Sequence, residues 1–380
     1  MVMTKLRAMT PRAAALGLAL GGAALGAIAT VGAPAQAATL FMGSYPDAIL
    51  VAEDVNGAVT QKIKLDTGLP RSMRLSNDKK RLYVSTITTG GIEVIDTATR
   101  KVINKFSLND EVTHYRFGDG VPDPSGKLYY TIATHYDKGA DRYEVSKPQY
   151  TVIDLVQKKI VKQVDVARED DPPSGGGGRA TFMMSDDGRY LYQFRDKVLV
   201  IDTQDNFKVV ERIDLAKPET AGFDSARFGG TLDTISRPGE YTTLFTSSDP
   251  YIHNKVFGVG RFNLNSREFT FTPIGPAPAT MAGLQIAPDG KRAYTVVTNG
   301  LYGNKRCEFW RFDLTTNAVE AKAEFECRSR FQFGMSSKGD KLYIYGASFD
   351  IEVYDAQTLK YEATWDLGHD ATGAGLAIVD

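Results

Sequence analysis

From Thr39 onward the chain alternates short hydrophobic runs with polar turns, and one unit recurs roughly every fifty residues. The unit is a polar turn, often with glycine, followed by a hydrophobic pair that opens a strand. It reads Ser76-Asn77-Asp78 before Leu82-Tyr83, Pro124-Ser125-Gly126 before Tyr129-Tyr130, and Asp186-Asp187-Gly188 before Leu191-Tyr192. It returns as Arg237-Pro238-Gly239 before Thr242-Thr243, Pro288-Asp289-Gly290 before Ala293-Tyr294, and Ser337-Lys338-Gly339 before Leu342-Tyr343. Each copy leads to a β-branched or aromatic strand that ends in an acidic or amide turn. Those ends are Ile95-Asp96, Ile153-Asp154, Ile201-Asp202, Phe262-Asn263, Phe312-Asp313 and Tyr354-Asp355. A further strand follows each, over Val102–Leu108, Ile160–Val166, Lys208–Leu215, Glu268–Ile274, Ala321–Glu326 and Tyr361–Leu367.

Four short strands per repeat, with no amphipathic helical run between them, predict an all-β fold of propeller blades. The alternation in Ile92-Glu93-Val94-Ile95 and Lys197-Val198-Leu199-Val200 fits strands half-buried between neighbouring blades. Six repeats are visible. A seventh blade is expected to be split across the termini, with three strands from Thr39–Asp66 and the fourth from Gly375–Val379. Pairing the chain ends in this way closes the ring and leaves no free sheet edge. The expected fold is therefore a seven-bladed β-propeller of four-stranded antiparallel blades, one domain over residues 38–380.

Residues 1–37 read as an address. Lys5, Arg7 and Arg12 precede an uncharged stretch from Ala13 to Ala33, which leads to Ala35-Gln36-Ala37. A basic start, an apolar middle and a small-x-small end make a secretory signal, with cleavage expected after Ala37 and a periplasmic destination. The rival is an uncleaved anchor, but the stretch is Ala/Gly-rich and Pro34 interrupts it. After cleavage no membrane span is expected. The chain has 45 basic and 46 acidic side chains, so no basic excess points to nucleic acid. Removing the leader would leave the protein mildly acidic.

The propeller pattern also assigns its two faces. Glycine turns and aspartate turns are short and share one face, whereas the opposite face carries the longer links. The extra residues collect there, at Thr134–Ser146, Ser247–Asn254 and Asn299–Arg306, with the Gly-rich link Ser174–Gly178. Long loops on a rigid scaffold make that face the expected binding surface.

Candidate chemistry is sparse. Cys307 and Cys327 lie equidistant from Asn317, the centre of one aspartate turn, so they are expected opposite each other on antiparallel strands as a disulfide. The four histidines, His114, His135, His253 and His369, have no metal-ligand spacing, and haem-attachment, phosphate-loop and Gly-x-Ser-x-Gly motifs are missing. No catalytic residue and no metal site is expected in this chain. One constellation remains at the starts of inner strands: Arg71, Arg116, Arg179, Arg227 and Arg330, with His114 beside them and Arg328 as a further member. Such a ring would give the central channel a positive mouth able to take a carboxylate or phosphate. Pairing of these arginines with carboxylates of neighbouring blades is an equally open reading.

Three stretches resemble the β subunit of quinohemoprotein amine dehydrogenase. The first is Glu111-Val112 with Phe117-Gly118 and Pro124-Ser125-Gly126-Lys127. The second is Tyr143-Glu144-Val145-Ser146-Lys147-Pro148 leading into Val152-Ile153-Asp154. The third runs from Val353-Tyr354-Asp355-Ala356-Gln357-Thr358-Leu359-Lys360 to Asp366-Leu367. The Asp-x-x-Thr turn is shared with many propellers, including YVTN-repeat proteins. The resemblance implies a cofactor-free platform subunit in oxidative deamination of primary amines. Its partners would be a small subunit bearing cysteine tryptophylquinone and a dihaem cytochrome bearing haem c. Aromatics on the long loops, Tyr115, Tyr136 and Tyr143, would then face a partner. The alternative is a stand-alone propeller that binds an anionic ligand or a partner protein through the arginine mouth. A lactonase-like enzyme would need clustered carboxylates at the channel mouth, where arginines stand instead.

Overall fold

The computed structural model describes residues 38–171, 181–195, 197–215, 226–228, 239–248, 255–328, 330–346 and 348–380. The expected leader (residues 1–37), the Ser174–Gly178 link and Arg179 lie outside the described residues, and of Arg227 only the backbone is described. Seven antiparallel sheets follow one another around a ring, a seven-bladed β-propeller. Blade one joins both termini: Ala371–Val379 pairs with Thr39–Ser44, followed outward by Ala48–Glu53 and Val59–Lys64. Blade two runs through Pro70–Leu75, Arg81–Thr86, Gly91–Asp96 and Lys101–Ser107. Blade three spans Thr113–Asp165, blade four Thr181–Asp214, blade five Ala226–Pro276, blade six Thr280–Phe325 and blade seven Phe331–Asp366. The first strands of blades two, three and four touch one another, and the C-terminal strand touches that of blade two. These strands line the axis.

The aspartate turns explain why the repeat is legible. Each carboxylate or amide oxygen accepts backbone N–H groups from its own turn: Thr99 to Asp96, Val156 and Gln157 to Asp154, Gln204 and Asp205 to Asp202. Asn263, Asp313 and Asp355 do the same in blades five, six and seven. The residue four positions on takes a left-handed conformation, as at Arg100, Lys158, Arg267, Asn317 and Leu359. A side chain that satisfies the turn's orphan amides offsets that backbone cost. Blade one makes its copy with Gly57 at the left-handed position, its N–H donating to the Glu53 carbonyl at 2.9 Å.

The core lies between blades. Phe41, Ile49 and Val51 of blade one pack with Met73, Leu82 and Val84 of blade two, and Tyr83 and Ile92 pack with Phe117 and Tyr129 of blade three. Burying such a side chain contributes about 1.5–3 kcal/mol. Middle strands are therefore covered on both sides, while outer strands such as Lys101–Ser107 alternate exposed and half-buried residues. This corrects the half-buried expectation for Ile92–Ile95 and Lys197–Val200. Glu93 is fully buried because the Thr67 amide and hydroxyl donate to its carboxylate at 2.7 and 2.9 Å. Cys307 and Cys327 form the expected disulfide, with Cα atoms 5.2 Å apart, but they are not opposite each other on the strands: a register shift at Arg311/Phe312 pairs Cys307 with Phe325, and Cys327 lies in the link beyond.

Candidate functional site

Backbone hydrogen bonds fix the two faces. The residue after each aspartate donates to the preceding glycine turn of its own blade, as in Thr97 to Lys80, Leu155 to Lys127, Thr203 to Arg189 and Ala356 to Asp340. Both turn types therefore share one face. On the other, Thr134–Ser146 is a built extension rather than a loose loop. Leu128–Lys138 runs on past the blade, and Tyr143–Val145 folds back onto Tyr136–Lys138. Asn299–Arg306 carries a single 3-10 turn at Tyr302–Asn304.

A cavity of about 290 Å³ opens on this loop face between blades two and three. It is lined by Arg71, Thr86, Ile87, Thr88, Asn109, His114, Tyr115, Arg116, Phe117 and Tyr136. Arg71 sits at a register shift between Pro70 and Ser72, the kind of bulge that re-aims a side chain. The link before it is tied down by Ile87 N–H to the Leu69 carbonyl and Leu69 N–H to Thr88 Oγ1, both 3.1 Å. Tyr115 is set by Asn109, whose Oδ1 accepts its N–H at 2.7 Å. Asn109 fits because Gly90, at φ 57°, has no side chain; a Cβ there would lie 2.6 Å from Asn109 Oδ1.

The turn into the strand is capped by Asp110, which accepts the Val112 and Thr113 amides at 2.8 and 2.6 Å. The Thr113 and Val112 N–H groups hold its carboxyl below the usual range. The Tyr115 ring packs 5.7 Å from His135, and burial, with Asp137 and Asp110 nearby, raises its hydroxyl pKa. His135 Nε2 lies 3.3 Å from Asp137, whose other oxygen accepts the Thr113 hydroxyl at 2.7 Å. Arg71, His114 and Arg116 are exposed. Among the described residues neither arginine has an ion pair, and no carboxylate lines the cavity. The site is a small pocket with two free guanidinium groups and an aromatic wall.

The other predicted residues lie apart. Arg328 is committed elsewhere, with Asp350 at 2.6 Å and Glu352 at 3.6 Å. Arg330 is exposed at the start of blade seven and lines neither cavity described here. Tyr143 is 63% exposed on the blade-three extension.

Sequence reasoning missed a second cavity, of about 790 Å³, on the turn face. The turns of blades two, three and four surround it, with Arg74, Lys79, Lys80, Arg81, Tyr83 and Gly126 in its wall. The run Lys79-Lys80-Arg81 is its signal in the sequence. Deeper in the channel, Arg74 donates to the Phe182 carbonyl at 2.6 Å and lies 3.8 Å from Asp119. The channel walls raise the Asp119 pKa by desolvation, which Arg74 only partly offsets. Among the described residues no cluster of three His, Cys, Asp or Glu side chains could hold a metal, and no helix is long and apolar enough to cross a membrane.

Fold and site together define a seven-bladed β-propeller with a polar, arginine-lined pocket on its loop face. No protein-family model and no curated sequence matches the chain. Among solved structures, a functionally unknown protein from Desulfotomaculum acetoxidans is similar at 14% identity and TM-score 0.55, over 90% of this chain and 99% of that one. The dihydro-heme d1 dehydrogenase NirN in complex with DHE is similar at 14% identity and TM-score 0.51, over 90% of this chain and 75% of that one. Apo AztD from Citrobacter koseri is similar at 13% identity and TM-score 0.49, over 90% and 98%. At these identities the likeness shows the fold alone.

Proposed function

We propose that this protein is a binding propeller whose loop face takes a small organic anion in the pocket between blades two and three. One observation carries the reading: Arg71 and Arg116, free of ion pairs among the described residues, share a cavity that no carboxylate lines. A guanidinium recognises a carboxylate through paired hydrogen bonds. Ile87, Tyr115, Phe117 and Tyr136 offer an apolar wall for the rest of the ligand, and 290 Å³ is at the small end of ligand pockets. The preferred ligand is thus a carboxylate with a compact apolar or aromatic body. Calorimetric titration with benzoate and with inorganic phosphate at low salt tests this. Benzoate is expected to bind more tightly than phosphate, and Arg71→Gln and Arg116→Gln each to weaken it. A flat benzoate titration, or one that both variants leave unchanged, sinks the reading.

A second reading follows the sequence resemblance, in which the same face docks partner subunits of an amine-oxidising complex. Its support is the apolar exposure there: Val112, Tyr143 and Val145 are 53, 63 and 59% exposed. The partners would be the small quinone-bearing subunit and the dihaem cytochrome, with cysteine tryptophylquinone and haem c on those chains. The expected export to the periplasm fits such a complex. Purifying the tagged protein from its native host and recording a visible spectrum separates the readings. Co-purifying haem absorbance with a small quinone-bearing chain supports the platform; a colourless monomer at near-native salt excludes it.

A further inference from the structure

Tyrosines at one repeated position rivet two of the blades to the next. Tyr83, Tyr192 and Tyr343 occupy matching places in the second strand, paired with Val94, Val200 and Val353. The Tyr192 hydroxyl donates to the Leu264 carbonyl at 2.6 Å, in the aspartate turn of blade five. The Tyr343 hydroxyl donates to Asp54, in the corresponding turn of blade one. For Tyr83 of blade two the corresponding carbonyl, that of Leu155 in blade three, is taken by Asn104 Nδ2 at 2.5 Å. The Tyr83 hydroxyl is left buried with no acceptor for its proton among the described residues, in a side chain only 1% exposed, and Arg81 lies against it.

That hydroxyl borders the turn-face cavity, and the Arg81 guanidinium stands beside it. A Cβ placed on Gly126 would lie 2.4 Å from Arg81 Nη1 and 2.8 Å from the Tyr83 hydroxyl, so all three groups meet at one point. Gly126, at φ 68°, brings the blade-three turn close enough for this. Arg81 and Lys80 are exposed and make no ion pair among the described residues, whereas Lys79 pairs with Asp380 at 3.5 Å. Most carboxylates in the wall are already occupied by their own turns. Asp78 accepts from Ser76 and Lys80, Asp123 from Lys127 and Leu128, and Asp96 from Thr99; Asp186 has no such bond. The cavity therefore offers a hydroxyl lacking an acceptor and a guanidinium that makes no ion pair among the described residues, with the turn-bound Asp78 and Asp96 near enough to feel its charge.

We propose that the turn-face mouth between blades two and three binds a compact oxyanion, held by Arg81 and by the Tyr83 hydroxyl. The guanidinium offers the forked donors that a carboxylate or phosphate accepts, and the tyrosine adds one directed hydrogen bond. Lys80 stands at the rim and adds charge. This site lies on the opposite face from Arg71 and Arg116 and stands independently of the loop-face reading.

The test uses the full chain carrying Arg71→Gln and Arg116→Gln, so that only the turn-face site is titrated. Inorganic phosphate and acetate are titrated separately by calorimetry at low salt, which distinguishes phosphate from carboxylate as the preferred group. Saturable binding of either is expected, with Arg81→Gln abolishing it and Tyr83→Phe weakening it about ten-fold, the loss of one hydrogen bond to a charged group. Without anion, Tyr83→Phe is expected to melt no lower than its parent, because the hydroxyl it removes donates to no group among the described residues and the exposed Arg81 beside it keeps its water. A merely structural tyrosine would instead lower the melting temperature. Absence of heat for both anions, or equal affinity in Tyr83→Phe, overturns the proposal.

Discussion

Asp54 accepts the hydroxyl proton of Tyr343 across the seam where blade seven meets blade one, and both residues are buried. This bond ties the last complete repeat to the N-terminal strands at the point where the ring closes. Burial raises the Asp54 pKa, while the Tyr343 hydroxyl and Lys341 lower it again. Removing the hydroxyl leaves a buried carboxyl without its donor, at a cost of about 1–3 kcal/mol. Tyr343→Phe is therefore expected to lower the unfolding midpoint clearly, and Tyr192→Phe to lower it by less, since the acceptor it strands is a neutral carbonyl and Arg267 keeps Glu211. Urea titration of both, beside Tyr83→Phe, checks the order. Equal stability of all three would show that the rivets carry no energy.

Gly90 links the backbone of blade two to the loop-face pocket. A Cβ there would meet Asn109 Oδ1 at 2.6 Å and the Tyr115 carbonyl at 2.7 Å, and φ 57° disfavours any L side chain. Gly90→Ala is expected to push Asn109 off the Tyr115 amide and to weaken benzoate binding several-fold, though it touches no ligand. The companion Asn109→Ala should weaken binding similarly without backbone strain. Calorimetry that finds both variants at wild-type affinity would remove Asn109 and Tyr115 from the pocket's design.

What the sequence made legible was chemistry between near neighbours. Asp96, Asp154 and Asn263 cap turns through amides two or three residues on, so the repeat survives as a local pattern. The cysteine pair was readable because both residues flank one hairpin. Partners more than twenty residues away along the chain left no such trace. Arg328 looks like its fellow arginines in the sequence, yet Asp350, 22 residues on, neutralises it. Glu93 reads as the polar member of an alternating strand, and only its bonds to Thr67 explain its burial. Of the turn-face cavity the sequence shows only the basic run Lys79-Lys80-Arg81, because the cavity needs turns from three blades to converge.

The disulfide closes a loop of 20 residues and staples the third strand of blade six to the link that enters blade seven. Cys307 is buried and packs with Phe309 and Phe333 in the core shared by those blades. On the chain-entropy view such a loop contributes about 3 kcal/mol. Cys307→Ser with Cys327→Ser is expected to lower stability by about 2–4 kcal/mol in denaturant, and reductant should lower the wild type to the same degree. Wild-type protein indifferent to reductant under unfolding conditions would contradict this.

Acid sensitivity should follow from the aspartate turns. The Thr99 amide and hydroxyl hold Asp96 below the usual carboxylate range, and the Thr315 hydroxyl and amide do the same for Asp313. Asp355 is also lowered: burial opposes the shift, but the Thr358 hydroxyl and amide outweigh it. A carboxyl with a depressed folded pKa adds stability above its unfolded value, about 3.9, and loses it as pH falls through the folded value. Asp54 and Asp119, both raised by burial, act in the opposite sense, but they are outnumbered. The melting temperature should therefore hold from neutral pH to about 5 and fall below about 4. Asn263 shows that an amide oxygen caps the same turn without charge. The triple variant Asp96→Asn, Asp313→Asn, Asp355→Asn is thus expected to fold normally at pH 7 and to lose less of its stability in acid. A melting profile as steep as the wild type's would place the acid-sensitive groups elsewhere in the ring.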